Sequence, residues 1–202
     1  MPSNVEMHRM VRIITITLDE TIAFYETYVP SDHDAALIER VNKSGFQPAF
    51  NAISDALHRE AILGLCRIWD KEKNTANLNR LAADFRDKNV LADLKSAGHE
   101  VDPSAMRKWL AAVEAGNKSA ELEALKRARH RAIAHTATPN KPYKGKAGVA
   151  AYGDERKMLE RTIPIVEQAG AFIGYSYVSP FAEQRRVRQD HSKRFWDRVG
   201  QG

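Results

Sequence analysis

The chain has 202 residues, 43% of them apolar and 28% charged, and a formal net charge of +5 at pH 7. This length is sufficient for one domain with its own hydrophobic core. No apolar stretch reaches the ~18 residues of a membrane span, and the first ten residues lack the apolar run of a secretory signal. The single cysteine, Cys66, excludes an internal disulfide and a cysteine-based zinc cluster. We therefore expect a mildly basic cytoplasmic protein without a membrane segment.

Apolar residues recur at helical spacing from the first segment onward. The first helix is expected to end at Pro30, and its inward stripe consists of Val11, Ile14, Leu18, Ile22, Tyr25 and Val29. The strongest pattern covers residues 45–69. Its apolar face is so wide that the helix needs neighbours on two sides, which predicts a central position. This face comprises Phe46, Phe50, Ile53, Leu57, Ala61, Gly64 and Ile68.

Shorter helices are expected along the rest of the chain. Asn74 and Thr75 are typical of a helix N-cap, and the helix after them carries Leu78, Leu81 and Phe85. Further helices are predicted over 90–97, from Asp102-Pro103 to Gly116-Asn117, over 119–134 and over 154–177.

These patterns predict an all-α protein, most simply an up-and-down helical bundle. Residues 136–153 contain two prolines and three glycines and are expected to form a loop. We expect residues 1–178 to form the bundle, with 88–115 as inserted helices. Residues 179–202 are expected to form a basic C-terminal helix docked by Phe195 and Trp196, or a tail.

Positive charge is concentrated in one segment. Between Ala124 and Gly153 there are seven Lys or Arg residues and no Asp or Glu. A solvated helix face would explain such a run. An unrelieved positive block also repels itself, however, and a bound polyanion such as RNA relieves that repulsion. The sequence therefore predicts RNA binding through Lys126, Arg127, Arg131, Lys141 and Lys144.

The same segment contains groups that could perform catalysis. A histidine imidazole exchanges protons near neutral pH, and an arginine guanidinium is a permanent planar cation suited to a phosphoryl group. Together they suffice, without a metal or cofactor, for RNA cleavage by the substrate's own 2′-hydroxyl. The candidates are Arg129 and His135, with His130 between them.

The motif in this segment resembles that of the HEPN superfamily, in which Arg followed by Asn, Asp or His precedes a His after four to six intervening residues. Here five residues separate Arg129 from His135. A second stretch, Leu65-Cys66-Arg67-Ile68-Trp69-Asp70 followed by Asn77-Leu78-Asn79-Arg80-Leu81, is similar to the abortive-infection AbiU-type branch. The resemblance covers roughly residues 11–177.

This resemblance implies a HEPN-like bundle that acts as a metal-independent endoribonuclease and forms a homodimer. It also implies a role in antiviral defence, or as a toxin with an antitoxin partner. At the end of the central helix, Arg67 and Asp70 are candidates to support the motif, with a plain structural ion pair as the alternative. His130 occupies a position that is usually Asn or Asp, so a non-catalytic RNA- or nucleotide-binding module stays open as an alternative. Such a module would act with a partner such as a nucleotidyltransferase. A helical scaffold with a basic surface is a third interpretation.

Helix geometry leaves one question open about the motif. Six residues place Arg129 and His135 about 120° apart on an α-helix. Either the helix ends before His135, or the two residues act across a dimer interface. Arg131, four residues before His135, shares its face and is an alternative phosphate partner.

Overall fold

A computed structural model describes residues 4–134, 153–177 and 179–199. Within these ranges the chain forms nine α-helices and no β-strand, which confirms the all-α prediction. The helices are α1 (Asn4–His33), α2 (Ala35–Ser44), α3 (Gln47–Ile68), α4 (Leu78–Asp84), α5 (Lys88–Ser96), α6 (Pro103–Asn117), α7 (Ala120–Ala134), α8 (Asp154–Phe172) and α9 (Phe181–Arg198). In these ranges no helix has the length and apolarity needed to span a membrane.

The two long helices α1 and α3 form an antiparallel pair at the centre of the fold. Gly64 of α3 lies against Thr21 of α1, and ten residues further along each helix Ser54 Oγ lies 2.8 Å from Ser31 Oγ. A Cβ atom at Gly64 would lie only 2.0 Å from Thr21 Oγ1, so the absence of a side chain permits this close approach. The predicted inward stripe of α1 is buried except for Val29, which is half-buried.

The C-terminal half of α3 is covered by further helices. The Trp69 indole Nε1 donates to Thr162 Oγ1 of α8 at 2.8 Å, and Trp109 Nε1 of α6 donates to the Ile165 carbonyl at 2.7 Å. Each buried indole N–H therefore has a partner, which removes the cost of burying an unpaired donor. Trp69 and Trp109 are both core residues.

The N-terminal half of α3 is covered less completely. A small second core joins α2, α3 and α9 through Leu37, Val41, Phe50 and Trp196. On the same half, Phe46 and Ile53 are exposed. The prediction of a helix enclosed on two sides is therefore right for the C-terminal half and wrong for this one. The apolar period identifies a face, but it does not show whether a neighbour covers that face.

The basic C-terminal segment is a helix docked on α1. The Trp196 indole donates to the Thr27 carbonyl at 2.7 Å, whereas Phe195 is exposed. Of the expected aromatic pair, one residue therefore makes the buried contact.

Some helix boundaries differ from those predicted. Although a proline lacks the N–H donor and its ring crowds the carbonyl four residues earlier, α1 continues through Pro30 to His33. The cap of α4 is Asn77 rather than Asn74 or Thr75, because the Asn77 side chain accepts from Arg80 N at 2.8 Å. The helix predicted over 154–177 ends at Phe172, and Gly174 follows with a φ of +65°. The predicted Asp102 cap before Pro103 is confirmed.

Candidate RNA-cleavage site

The predicted basic helix forms as α7. Ser119 Oγ accepts a hydrogen bond from Leu122 N at 3.3 Å, as a helix N-cap does. Leu122 and Leu125 are buried in the main core and fix the rotation of α7 about its axis. On the remaining faces, Lys126, Arg127 and Arg129 are half-buried and His130 is exposed.

The structure brings two of the predicted residues together. Arg129 Nη1 lies 3.9 Å from Asp70 Oδ2, and the side chains are 29% and 41% exposed. This separation exceeds that of a hydrogen bond, so the attraction is electrostatic and does not itself use a guanidinium donor. In the part of the chain that the structure describes, this is the one ion pair of Arg129. Arg67, three residues before Asp70, is exposed at the last turn of α3.

Cys66 shows how closely α7 lies over this end of α3. Its thiol is buried, and burial raises its pKa to about 11. The positive charges of Arg129 and Lys126 act in the opposite direction. These two of the cations of α7 are therefore within electrostatic range of Cys66, four residues before Asp70.

The other basic residues of α7 are placed differently. Lys126 Nζ lies 3.8 Å from Glu123 Oε1 one turn earlier. The Nε of Arg127 is buried and, among the described residues, has no hydrogen-bond partner. Arg131 belongs to α7, but its side chain is outside the described part of the chain. His135, Lys141 and Lys144 also lie outside the described residues, so the arrangement of Arg129 and His135 stays a prediction.

Sequence reasoning missed two asparagines beside Asp70. Asn79 Nδ2 donates to the Asp70 carbonyl at 2.7 Å and to the Trp69 carbonyl at 3.3 Å. Asn117 Nδ2 donates to Asn79 Oδ1 at 2.6 Å. Asn79 stood within the AbiU-type stretch, but its partners are nine, ten and thirty-eight residues away, and no local pattern reports such contacts.

A polar cluster around His58 also carried no sequence signal. The His58 ring stacks on Tyr28 with centroids 4.4 Å apart, and its Nε2 lies 3.8 Å from Glu155 Oε1. Glu155 is 3% exposed at the first turn of α8. Burial, with the nearby Asp32 carboxylate, raises the pKa of Tyr28. The cluster joins α1, α3 and α8.

Metal sites and cavities were the other possible kinds of site in the described part of the chain. Among the described residues, no group of three His, Cys, Asp or Glu side chains is placed to hold a metal ion. A cavity of about 710 Å³ lies between α5 and α6, with Leu91, Met106 and Leu110 in its lining. None of the predicted RNA-binding or catalytic residues that the structure describes lines it.

Comparison with known proteins identifies the family. Residues 6–195 match the family model for AbiU2, a family of HEPN type (HEPN_AbiU2). The match extends further at both ends than the resemblance over 11–177, and it includes most of α9. No match was found among curated proteins or among solved structures. Because the family match covers most of the sequence, the chain belongs to the AbiU2 family of HEPN proteins.

Proposed function

We propose that this protein is a metal-independent endoribonuclease that cleaves RNA by transesterification, with Arg129 and His135 as its catalytic residues. The observation that carries the proposal is the state of Arg129 in a HEPN-family chain. Its guanidinium is partly exposed on a basic helix and is held near Asp70 without a hydrogen bond. A cation held in this way keeps donors for a phosphate.

The proposed reaction uses only groups of the protein and the substrate. The 2′-oxygen of a ribose attacks the adjacent phosphorus as its proton passes to the His135 imidazole. The bond from phosphorus to the 5′-oxygen of the next nucleotide breaks, and the imidazolium gives a proton to that leaving oxygen. Arg129 neutralises the charge that develops on the phosphorane oxygens. The products are a 2′,3′-cyclic phosphate and a 5′-hydroxyl. DNA has no 2′-hydroxyl and is not cleaved. His130 either orients its neighbours or carries a second proton.

The remaining cations of the segment bind the RNA backbone in this proposal. They are Lys126, Arg127, Arg131, Lys141 and Lys144. Phosphate contacts release counterions, so RNA binding weakens as salt increases.

The test is an RNA cleavage assay in excess EDTA. Wild-type protein is expected to cut labelled RNA and to leave DNA of the same sequence intact, whereas His135→Ala and Arg129→Ala do not cut. The loss of cleavage in Arg131→Ala, compared with that in Arg129→Ala, shows which of the two arginines is the phosphate partner. Equal cleavage by wild type and by both Arg129→Ala and His135→Ala would refute the assignment.

We further propose that the protein acts as a homodimer, because a site shared by two chains is one of the two arrangements that bring Arg129 and His135 together despite their separation of about 120° on a helix. If Arg129 of one chain works with His135 of the other, mixing the two inactive variants restores one intact site in each heterodimer. Activity is therefore expected to return after subunit exchange between Arg129→Ala and His135→Ala. Without any return, the two residues work within one chain.

A second candidate is a non-catalytic RNA- or nucleotide-binding module that acts with a partner such as a nucleotidyltransferase. The observation in its favour is His130, an exposed residue where the family motif usually has Asn or Asp. This candidate predicts salt-sensitive RNA binding without cleavage.

The proposed setting is the cytoplasm, in antiviral defence or as the toxin of a toxin–antitoxin pair. Expression of wild-type protein is then expected to arrest growth, and Arg129→Ala is expected to abolish the arrest. Growth arrest that persists in Arg129→Ala would contradict a ribonuclease toxin.

A further inference from the structure

The end of α3 is held by an asparagine side chain from α4. The last carbonyls of a helix have no partner within the helix. Asn79 Nδ2 donates to the carbonyl of the C-cap residue Trp69 at 3.3 Å and to that of Asp70, the next residue, at 2.7 Å. The backbone that carries the Asp70 carboxylate is therefore fixed by a residue nine positions later.

Asn79 is itself fixed by the end of α6. Its Oδ1 accepts from Asn117 Nδ2 at 2.6 Å, and its Nδ2 lies 3.2 Å from Asn117 Oδ1. Asn117 also donates to the Val113 carbonyl at 3.1 Å. Asn117 is the last residue of α6, and α7 begins three residues later at Ala120. The amide pair thus connects the chain at the end of α3, where Asp70 lies, with the end of α6. The next helix, α7, carries Arg129.

Packing at the same junction restricts movement further. A Cβ atom at Gly116 would lie 2.1 Å from the Trp69 ring, so the backbone of α6 rests directly on the indole. On the carboxylate itself, Oδ1 accepts from Lys71 N at 2.7 Å. This contact leaves Oδ2 to face Arg129 Nη1 at 3.9 Å.

We propose that Asn79 and Asn117 are positioning residues that fix the carboxylate of Asp70 beside the guanidinium of Arg129. An arginine side chain has many rotamers, and holding it in one orientation lowers the entropy cost of binding a phosphate. Because the pair with Asp70 is longer than a hydrogen bond, it orients the guanidinium without occupying its donors. The role in RNA cleavage rests on the proposed function.

The test compares Asn79→Ala with Asp70→Asn in two measurements. The first is the NMR resonance of the Arg129 Nε–Hε group, assigned from its loss in Arg129→Lys. Both variants are expected to shift this resonance in the same direction. Asn89→Ala, which removes an exposed asparagine that hydrogen-bonds to Asp87, is the matched control and is expected to leave it in place.

The second measurement is RNA cleavage. Asn79→Ala is expected to lower kcat about fivefold with KM unchanged, on the scale of one lost hydrogen bond. In an Asp70→Asn background the same substitution is expected to cost nothing more, because both act through Arg129. Additive losses in the double variant, or an unshifted Arg129 resonance in Asn79→Ala, would overturn the proposal.

Asn117→Ala provides a second route if Asn79→Ala fails to fold, and it is expected to shift the Arg129 resonance in the same direction. An unshifted Arg129 resonance in folded Asn117→Ala likewise counts against the proposal that the two asparagines position Asp70. The two failures are distinguishable. If wild-type protein cuts no RNA, the ribonuclease proposal falls, while the NMR comparison still decides whether the asparagines position Asp70 and Arg129.

Discussion

Two arginine–carboxylate pairs in this fold differ in whether a hydrogen bond joins the guanidinium to the carboxylate. Arg185 of α9 hydrogen-bonds to Glu26 of α1, which is 3% exposed and also accepts from Gln189 Nε2 at 2.8 Å. Arg129 approaches Asp70 only to 3.9 Å, and both side chains are partly exposed. In the first, saturated pair each carboxylate oxygen of Glu26 accepts a hydrogen bond, and the pair joins two helices. In the second, open pair the cation lies near the carboxylate without a hydrogen bond between the two.

The largest effect on stability is expected at the saturated pair. Glu26→Ala leaves the Arg185 guanidinium without its partner, which should lower the free energy of unfolding by about 3–5 kcal/mol. Asp19→Ala is the matched control, because Asp19 pairs with Arg188 of the same helix in a more exposed position. It should cost at most about 1 kcal/mol. Urea denaturation measures both, and similar losses in the two variants would contradict the distinction.

The open pair of Arg129 and Asp70 is expected to affect activity strongly and stability little. Arg129→Ala should lower kcat for RNA cleavage by about 10²–10³-fold, because a cation facing the phosphorane is lost. The free energy of unfolding should change by less than about 1 kcal/mol, since the pair is partly exposed. Arg129→Lys keeps the charge but loses the planar fork, so it should restore little activity. A large loss of stability in Arg129→Ala would instead mark the pair as structural.

The salt dependence of RNA affinity tests whether Lys126 of the basic helix contacts a phosphate. Lys126→Ala should reduce the slope of log affinity against log salt by about 0.7, the share of one phosphate contact with single-stranded RNA. The control is Lys43→Ala, a lysine of α2 that pairs with Glu39 at 2.6 Å and is remote in sequence from the basic segment. An equal change in both variants would indicate a diffuse effect of net charge.

The smallest effect concerns the buried thiol of Cys66, which is within electrostatic range of Arg129. Because burial raises the pKa of Cys66 to about 11, its reactive thiolate is scarce at pH 8. Alkylation by iodoacetamide should be slow in native protein and fast in urea. Since the folded pKa is raised, Cys66 should also make stability fall as the pH rises from about 9 toward 11. Rapid labelling of native protein would show that the contact between α3 and α7 opens readily.

The sequence was informative wherever one residue and its near neighbours decide the outcome. The apolar period predicted the buried face of α1, and Asp102-Pro103 predicted the start of α6. Periodicity could not show that Phe46 and Ile53 lack neighbours, because burial depends on the packing of distant helices. The same limit hid the contact of Asn79 with Asn117, whose thirty-eight-residue separation is set only by the fold.

The central claim is that Arg129 and His135 cleave RNA by transesterification without a metal. Mass spectrometry of the RNA ends produced in excess EDTA tests it most directly. The account predicts new 3′ ends that carry a 2′,3′-cyclic phosphate and new 5′ ends that carry a hydroxyl. New ends with a 3′-hydroxyl and a 5′-phosphate, or RNA that stays intact, would contradict it.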